Sequence, residues 1–232
     1  MFDPQKLLEK LLGGGTNPDG SKKSMSTDLV KGLAGGAIAG GLAGVLLGGK
    51  STKNLASGAL KLGGTAALAG LAYKVYTEWQ ASKQAVPAAD LTQPMKDVTP
   101  TPEGTAFLPS PPKARDEVSL AILSAMIAAA KADGHIDATE QQKIFTKLDE
   151  HELDMEEKAF VMDELRKPLD VDAVVASATT PELAVEIYVA SLMAIDPDMP
   201  AEKTYLTTLA ERLKIEPGLK SALDAEAYKA VA

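Results

Sequence analysis

Cysteine is absent from all 232 residues. Its absence excludes a disulfide framework, a thiolate metal site and a cysteine nucleophile, and it suits a cytosolic face. Histidine is nearly absent too. His135 falls in a polar turn and His151 in the charge run KLDEHELDMEE, so neither has the orienting third group that Ser/His/Asp chemistry needs. Aromatics are 4% of the chain, too few for a large mixed core. Alanine, leucine and glycine dominate instead, which favours helices packed through small residues. The opening MFDPQKLLEKLL lacks the basic n-region and apolar h-region of a secretory signal. One string of phosphate-loop form exists, GVLLGGKS at 44–51, but no strand precedes it to build the phosphate cradle, so it reads as a chance match. With no catalytic constellation left, the expectation is a non-enzymatic protein.

Charge is unevenly placed. Residues 1–84 hold ten Lys and five acids, whereas residues 116–232 hold eleven basic and 24 acidic groups, a local charge of −13. The split predicts different surroundings for the two parts. The acidic part would repel nucleic acid, whose phosphates are bound through Lys and Arg.

Four segments follow. In 1–27, Asp3 can cap and Pro4 can open a short helix. Its Leu7, Leu8, Leu11 and Leu12 share a stripe, and GGGTNPDGSKKSMST at 13–27 is a flexible linker. Segment 28–84 is Gly/Ala-rich. Its core, GLAGGAIAGGLAGVLLGG at 32–49, is 18 residues without a charge, the lower limit for a membrane span. Gly32, Gly36, Gly40, Gly44 and Gly48 recur at four-residue spacing, so one helix face is stripped of side chains. Such a face permits close helix–helix approach in lipid, and homo-oligomerisation through it is expected. After Lys61 a second small-residue stretch ends in Tyr73, Tyr76 and Trp79, spaced for one side of a helix and placed as at a membrane interface. Ordinary packing against other helices is the alternative. Segment 85–115 carries seven prolines and reads as an extended linker.

Segment 116–232 is helical throughout by its apolar periodicity. Asp137 with Glu140, and Asp154 with Glu157, have capping-box spacing, and Thr180-Pro181 reads as N-cap and first position. AILSAMIAAAKADGHIDA aligns with AVEIYVASLMAIDPDMPA at an offset of 63 residues, predicting two helix-turn-helix units packed face to face. The expected fold is all-α: a Gly-rich membrane-associated helix or helical hairpin, the Pro-rich linker, then a compact bundle of about seven helices with a pseudo-repeat.

The acidic turn ADGHIDATE tests for calcium. With Gly134 at the glycine position of an EF-hand loop, Asp133, Asp137 and Glu140 fill later ligand positions. Ala129 and Lys131 occupy the two that begin the loop, so an ordinary EF-hand is excluded. Gly134, Ile136 and Asp137 are explained as a helix end, a core contact and a cap. Asp133, Asp196 and Asp198 are not, because an acid at a helix C-terminus meets the negative end of the dipole. They suit a hard divalent cation with oxygen ligands: calcium, magnesium or manganese.

AMIAAAKADGHIDATEQQKI and AIDPDMPAEKTYLTTLAERLKI resemble the two signature segments of the tellurite-resistance TerB-like family. The Gly/Ala-rich part and Pro-rich linker resemble its YebE-like branch of bacterial inner-membrane proteins. The resemblance implies an all-helical fold and an envelope or stress-related role with an unknown protein partner. It also implies a metal role for Asp133, Asp137, Glu140, Asp196 and Glu202. Pro200 stands where the first half has Asp137, a departure from two equal sites. Five Lys within 1–31 against three within 50–61 favour a cytoplasmic start. One span would then export the acidic domain; a hairpin would keep it in the cytoplasm.

Overall fold

The computed structural model describes residues 2–12, 64–83, 102–132, 153–195 and 200–231. Within them lie eight α-helices: α1 Pro4–Leu11, α2 Gly64–Lys83, α3 Pro112–Ala129, α4 Met155–Arg166, α5 Val171–Ser177, α6 Pro181–Met193, α7 Pro200–Arg212 and α8 Pro217–Val231. The all-α expectation holds. Among the described residues the only β feature is an isolated bridge between Glu103 and Leu108.

The helix starts follow from local chemistry. Asp3 accepts the Lys6 amide and Pro4 opens α1. Asp154 and Glu157 form the anticipated reciprocal capping box at α4. Asp170 caps α5 and Thr180 caps α6, the latter with Pro181 at the first position. The end of α7 is less conventional. Lys214 takes φ 58°, while the Ile215 and Lys214 amides donate back to Ala210 and Glu211. This is a Schellman ending with lysine where glycine is usual.

The hydrophobic centre is α6. Every residue from Leu183 to Leu192 is buried, as expected of a helix apolar all round. It packs on α3, α2, α8 and α7, with α3 the most extensive partner. The α3–α6 pair joins the two leading helices of the internal repeat. The apolar stripes read from sequence in α3, α7 and α8 all face this core: Ala125 and Met126, Leu206 and Leu209, Leu219 and Leu223 are buried.

Two elements expected apart from the acidic bundle are built into it. Leu7, Leu8 and Leu11 of α1 are buried against α3 and α2, and Phe2 stacks on Phe160 at 4.8 Å. Helix α2 packs on α6 and α8. Its Tyr73 and Tyr76, placed by sequence at a membrane interface, instead meet the ring of Phe107 edge-on, each at 5.6 Å. The end of the Pro-rich stretch is likewise folded. Phe107 is buried, Gly104 turns the chain at φ 77°, and α3 begins at Pro112 rather than Asp116. A buried aromatic outweighs the tendency of neighbouring prolines to keep the chain extended.

The charge split also has an internal explanation. Lys10 pairs with Glu157 at 2.7 Å, Lys74 with Glu226 at 2.5 Å, and Lys83 with Glu216. Each pair joins the basic early part to the acidic late part. The pairs of Lys74 and Lys83 are solvent-exposed and contribute little stability. Glu157, by contrast, is buried where it also closes the α4 capping box.

Among the described residues no helix is long and apolar enough to cross a membrane. Gly32, Gly36, Gly40, Gly44 and Gly48 lie outside the described residues.

Candidate functional site

The structure places one predicted ligand and leaves the others outside its described residues. Asp133, Asp137, Glu140, Asp196 and Asp198 lie outside them. Glu202 sits in the first turn of α7, 6% exposed, where a carboxylate complements the helix dipole. Among the described residues no three His, Cys, Asp or Glu side chains gather to hold a metal ion. Lys131, which breaks the calcium-loop pattern, has a structural task. Its ammonium donates to the carbonyls of Glu164 and Lys167 at 2.8 and 2.9 Å, closing the C-terminal end of α4. Burial pulls its pKa down, against the opposing pull of Glu164.

The most unusual polar group was not anticipated. Glu186 lies in the middle of α6, 0% exposed, and neither carboxylate oxygen has a hydrogen-bond partner. Burial, reinforced by the charge of Glu182 one turn earlier, pushes its pKa up to about 9. At neutral pH it is therefore a protonated acid. It lies on α6, which packs on α3 and α2.

Glu186 lines a small cleft beneath α1. The cleft is also lined by Gln5 and Leu8 of α1, by Phe107 and Leu108, and by Arg115, Ser119 and Ile122 of α3. Arg115 Nε donates to the Pro109 carbonyl at 2.6 Å, which holds that guanidinium at the rim. The free volume is about 20 Å³, enough for one water-sized group. The lining is mainly apolar with a few polar groups.

A second buried polar group lies between α6 and α7. Burial pushes the Tyr205 phenol up to about 12, and the Ser191 hydroxyl beside it works the other way. Tyr188, also on α6, donates to Asp224 of α8 at 2.6 Å. Lys220 completes that network at 2.7 Å from the other carboxylate oxygen. These groups tie helices together.

A signal for Glu186 was present in the repeat. At the 63-residue offset it replaces Leu123, itself buried in α3. An acid where the related helix carries a core leucine marks a departure from packing alone.

The family model described as "Protein of unknown function (DUF533)" matches residues 32–227, taking in both the Gly-rich segment and the bundle. The chain is also 29% identical, over 103 residues, to a Yersinia enterocolitica protein described as "Uncharacterized protein in ampR 5'region", an alignment covering 44% of this chain and 74% of that protein. No solved structure matches.

Proposed function

The chain belongs to the DUF533 family, and on that footing we propose that it is a non-enzymatic, membrane-anchored helical module. The Gly-rich segment is its anchor and self-association surface, and the acidic bundle engages a protein partner. One observation carries the topology. Helices α1 and α2 pack on each other and on the central α3 and α6, respectively, so Leu12 and Gly64, the described residues on either side of 13–63, belong to the same bundle. A segment that enters a membrane between two such points must return to the face it left. That favours the hairpin over the single span, and the bundle and residues 2–12 then share one side.

The family match begins at Gly32, so anchor and bundle form one family unit. On the TerB-like and YebE-like resemblance, the membrane is the bacterial inner membrane, the bundle is cytoplasmic, and the role lies in envelope or stress-related assemblies. Membrane fractionation together with paired reporters at the N- and C-termini tests this reading. Both reporters should be active on the cytoplasmic side of a membrane-bound protein. Reporters on opposite sides, or a fully soluble full-length chain, would refute it.

A second reading, a divalent-cation sensor, is supported by Glu202. This carboxylate is buried in the first turn of α7, three residues beyond the acidic turn that carries Asp196 and Asp198. Calorimetry of the full-length chain with calcium, magnesium and manganese tests it. Absence of both binding heat and a melting shift for all three would end it.

A further inference from the structure

We propose that residues 2–12 form a clasp on the start of α4, so that docking of α1 and closure of the α4 capping box are one linked event. The clasp carries a conformational signal between two segments of the chain, 13–63 directly after α1 and 133–152 shortly before α4. The coupling holds whether or not residues 13–63 enter a membrane.

Three observations carry it. The first is a shared atom. Glu157 Oε2 accepts the Lys10 ammonium at 2.7 Å and the Asp154 amide at 2.8 Å. One oxygen thus closes both a tertiary ion pair and a local helix cap. The second is burial. Glu157 is 1% exposed, and its other oxygen, Oε1, has no hydrogen-bond partner. A carboxylate buried in this way depends on the cation beside it, and losing that cation leaves a charge that must find water. Glu157 reaches water by swinging outward, and that motion gives up the bond to the Asp154 amide. The third is the reach of the strap along α4. Phe2 stacks on Phe160, one turn beyond Glu157, at 4.8 Å between ring centroids. Lys6 and Lys10, one turn apart on α1, both bear on the cap residue. The Glu157 amide holds the Asp154 carboxyl below its usual range, and the charges of Lys10 and Lys6 add to the effect.

Two states follow. With α1 docked, Leu7, Leu8 and Leu11 are buried and Lys10 neutralises Glu157. An eight-residue helix does not persist unsupported, so undocking withdraws the leucines and the cation together. Glu157 then turns to solvent and the first turn of α4 opens. Such a linkage is reciprocal. Whatever steadies the start of α4 tightens α1 docking by the same factor, and a pull on 13–63 that lifts α1 loosens the chain entering α4.

Hydrogen exchange of the full-length chain at pH 7, read residue by residue, tests the clasp. The reporters are the amides of Glu157, which donates to Asp154 Oδ1 at 2.9 Å, and of Lys158, which donates to the Asp154 carbonyl at 3.0 Å. The references are the amides of Leu165, in the last turn of α4, and Val189 in α6. Leu8 takes part in neither the ring stack nor the ion pair, yet Leu8→Ala should speed exchange at both reporters about tenfold or more beyond any change at the references. Lys10→Met keeps the stem and the leucines and should do the same. Glutamine can still close a capping box but needs no cation. In a Glu157→Gln background, adding Leu8→Ala should therefore change Lys158 by less than about twofold. The clasp is overturned if the reporters keep wild-type rates in Lys10→Met, if the references speed up by the same factor as the reporters, or if the full effect of Leu8→Ala survives in Glu157→Gln. Lys10 keeps its side chain 19% exposed, so Lys10→Met leaves the packed core intact and decides the matter even where Leu8→Ala fails to fold.

Discussion

Replacing Glu186 with glutamine should make the protein more stable, and increasingly so as pH rises. The folded-state pKa is about 9 against an ordinary 4.5. Between those values the unfolded chain has lost a proton that the native state retains. Native stability therefore falls as pH rises through that window, by about 1.4 kcal/mol per pH unit. Below pH 4.5 the carboxyl is neutral in both states and contributes no slope. By pH 7 the accumulated loss is about 3 kcal/mol. Glutamine has similar size and never ionises, so Glu186→Gln removes the loss while leaving the buried polar atoms in place. At about 2–4 °C per kcal/mol for a chain of this length, the variant should melt roughly 6–12 °C higher at pH 7. Thermal unfolding followed by circular dichroism from pH 4.5 to 8.5, on both full-length proteins, measures the difference. Other titrating groups are common to both, so the gap between the curves isolates Glu186. Parallel curves across that range would refute the reasoning, because they would mean that Glu186 ionises in the folded protein as easily as in the unfolded one.

Three further outcomes are expected. Leu8→Ala removes a fully buried side chain and should cost about 2 kcal/mol or more. Because an eight-residue helix does not persist unsupported, limited proteolysis should show faster cleavage within residues 2–12 before the rest of the bundle is attacked. Lys214→Gly relieves the left-handed strain at the end of α7 and should raise stability by about 1 kcal/mol in thermal melts. Lys131→Met keeps the buried stem but strips two carbonyls of their donor; a loss of about 1–3 kcal/mol is expected by chemical denaturation, with hydrogen exchange fastest near Glu164 and Lys167.

The sequence alone determined that the described bundle is helical and where α1, α4 and α6 start. Those features depend on neighbours within a few residues: apolar side chains at helical spacing, Asp154 with Glu157, and Thr180 with Pro181. It also showed, through Lys131, that the first acidic turn is no ordinary calcium loop. Tertiary structure decided everything that depends on residues far apart in the chain. Composition suggested separate compartments for the basic and acidic parts, yet Lys10, Lys74 and Lys83 reach across to Glu157, Glu226 and Glu216. An apolar helix face is chemically the same whether it meets lipid or another helix, so Tyr73 and Tyr76 read equally well either way until Phe107 was seen against them. The same limit hid Glu186. A glutamate in a helix is ordinary in water. Only its enclosure by α1, α2 and α3 removes the solvent that would have stabilised its charge, and that enclosure joins segments from across the chain that share no local pattern.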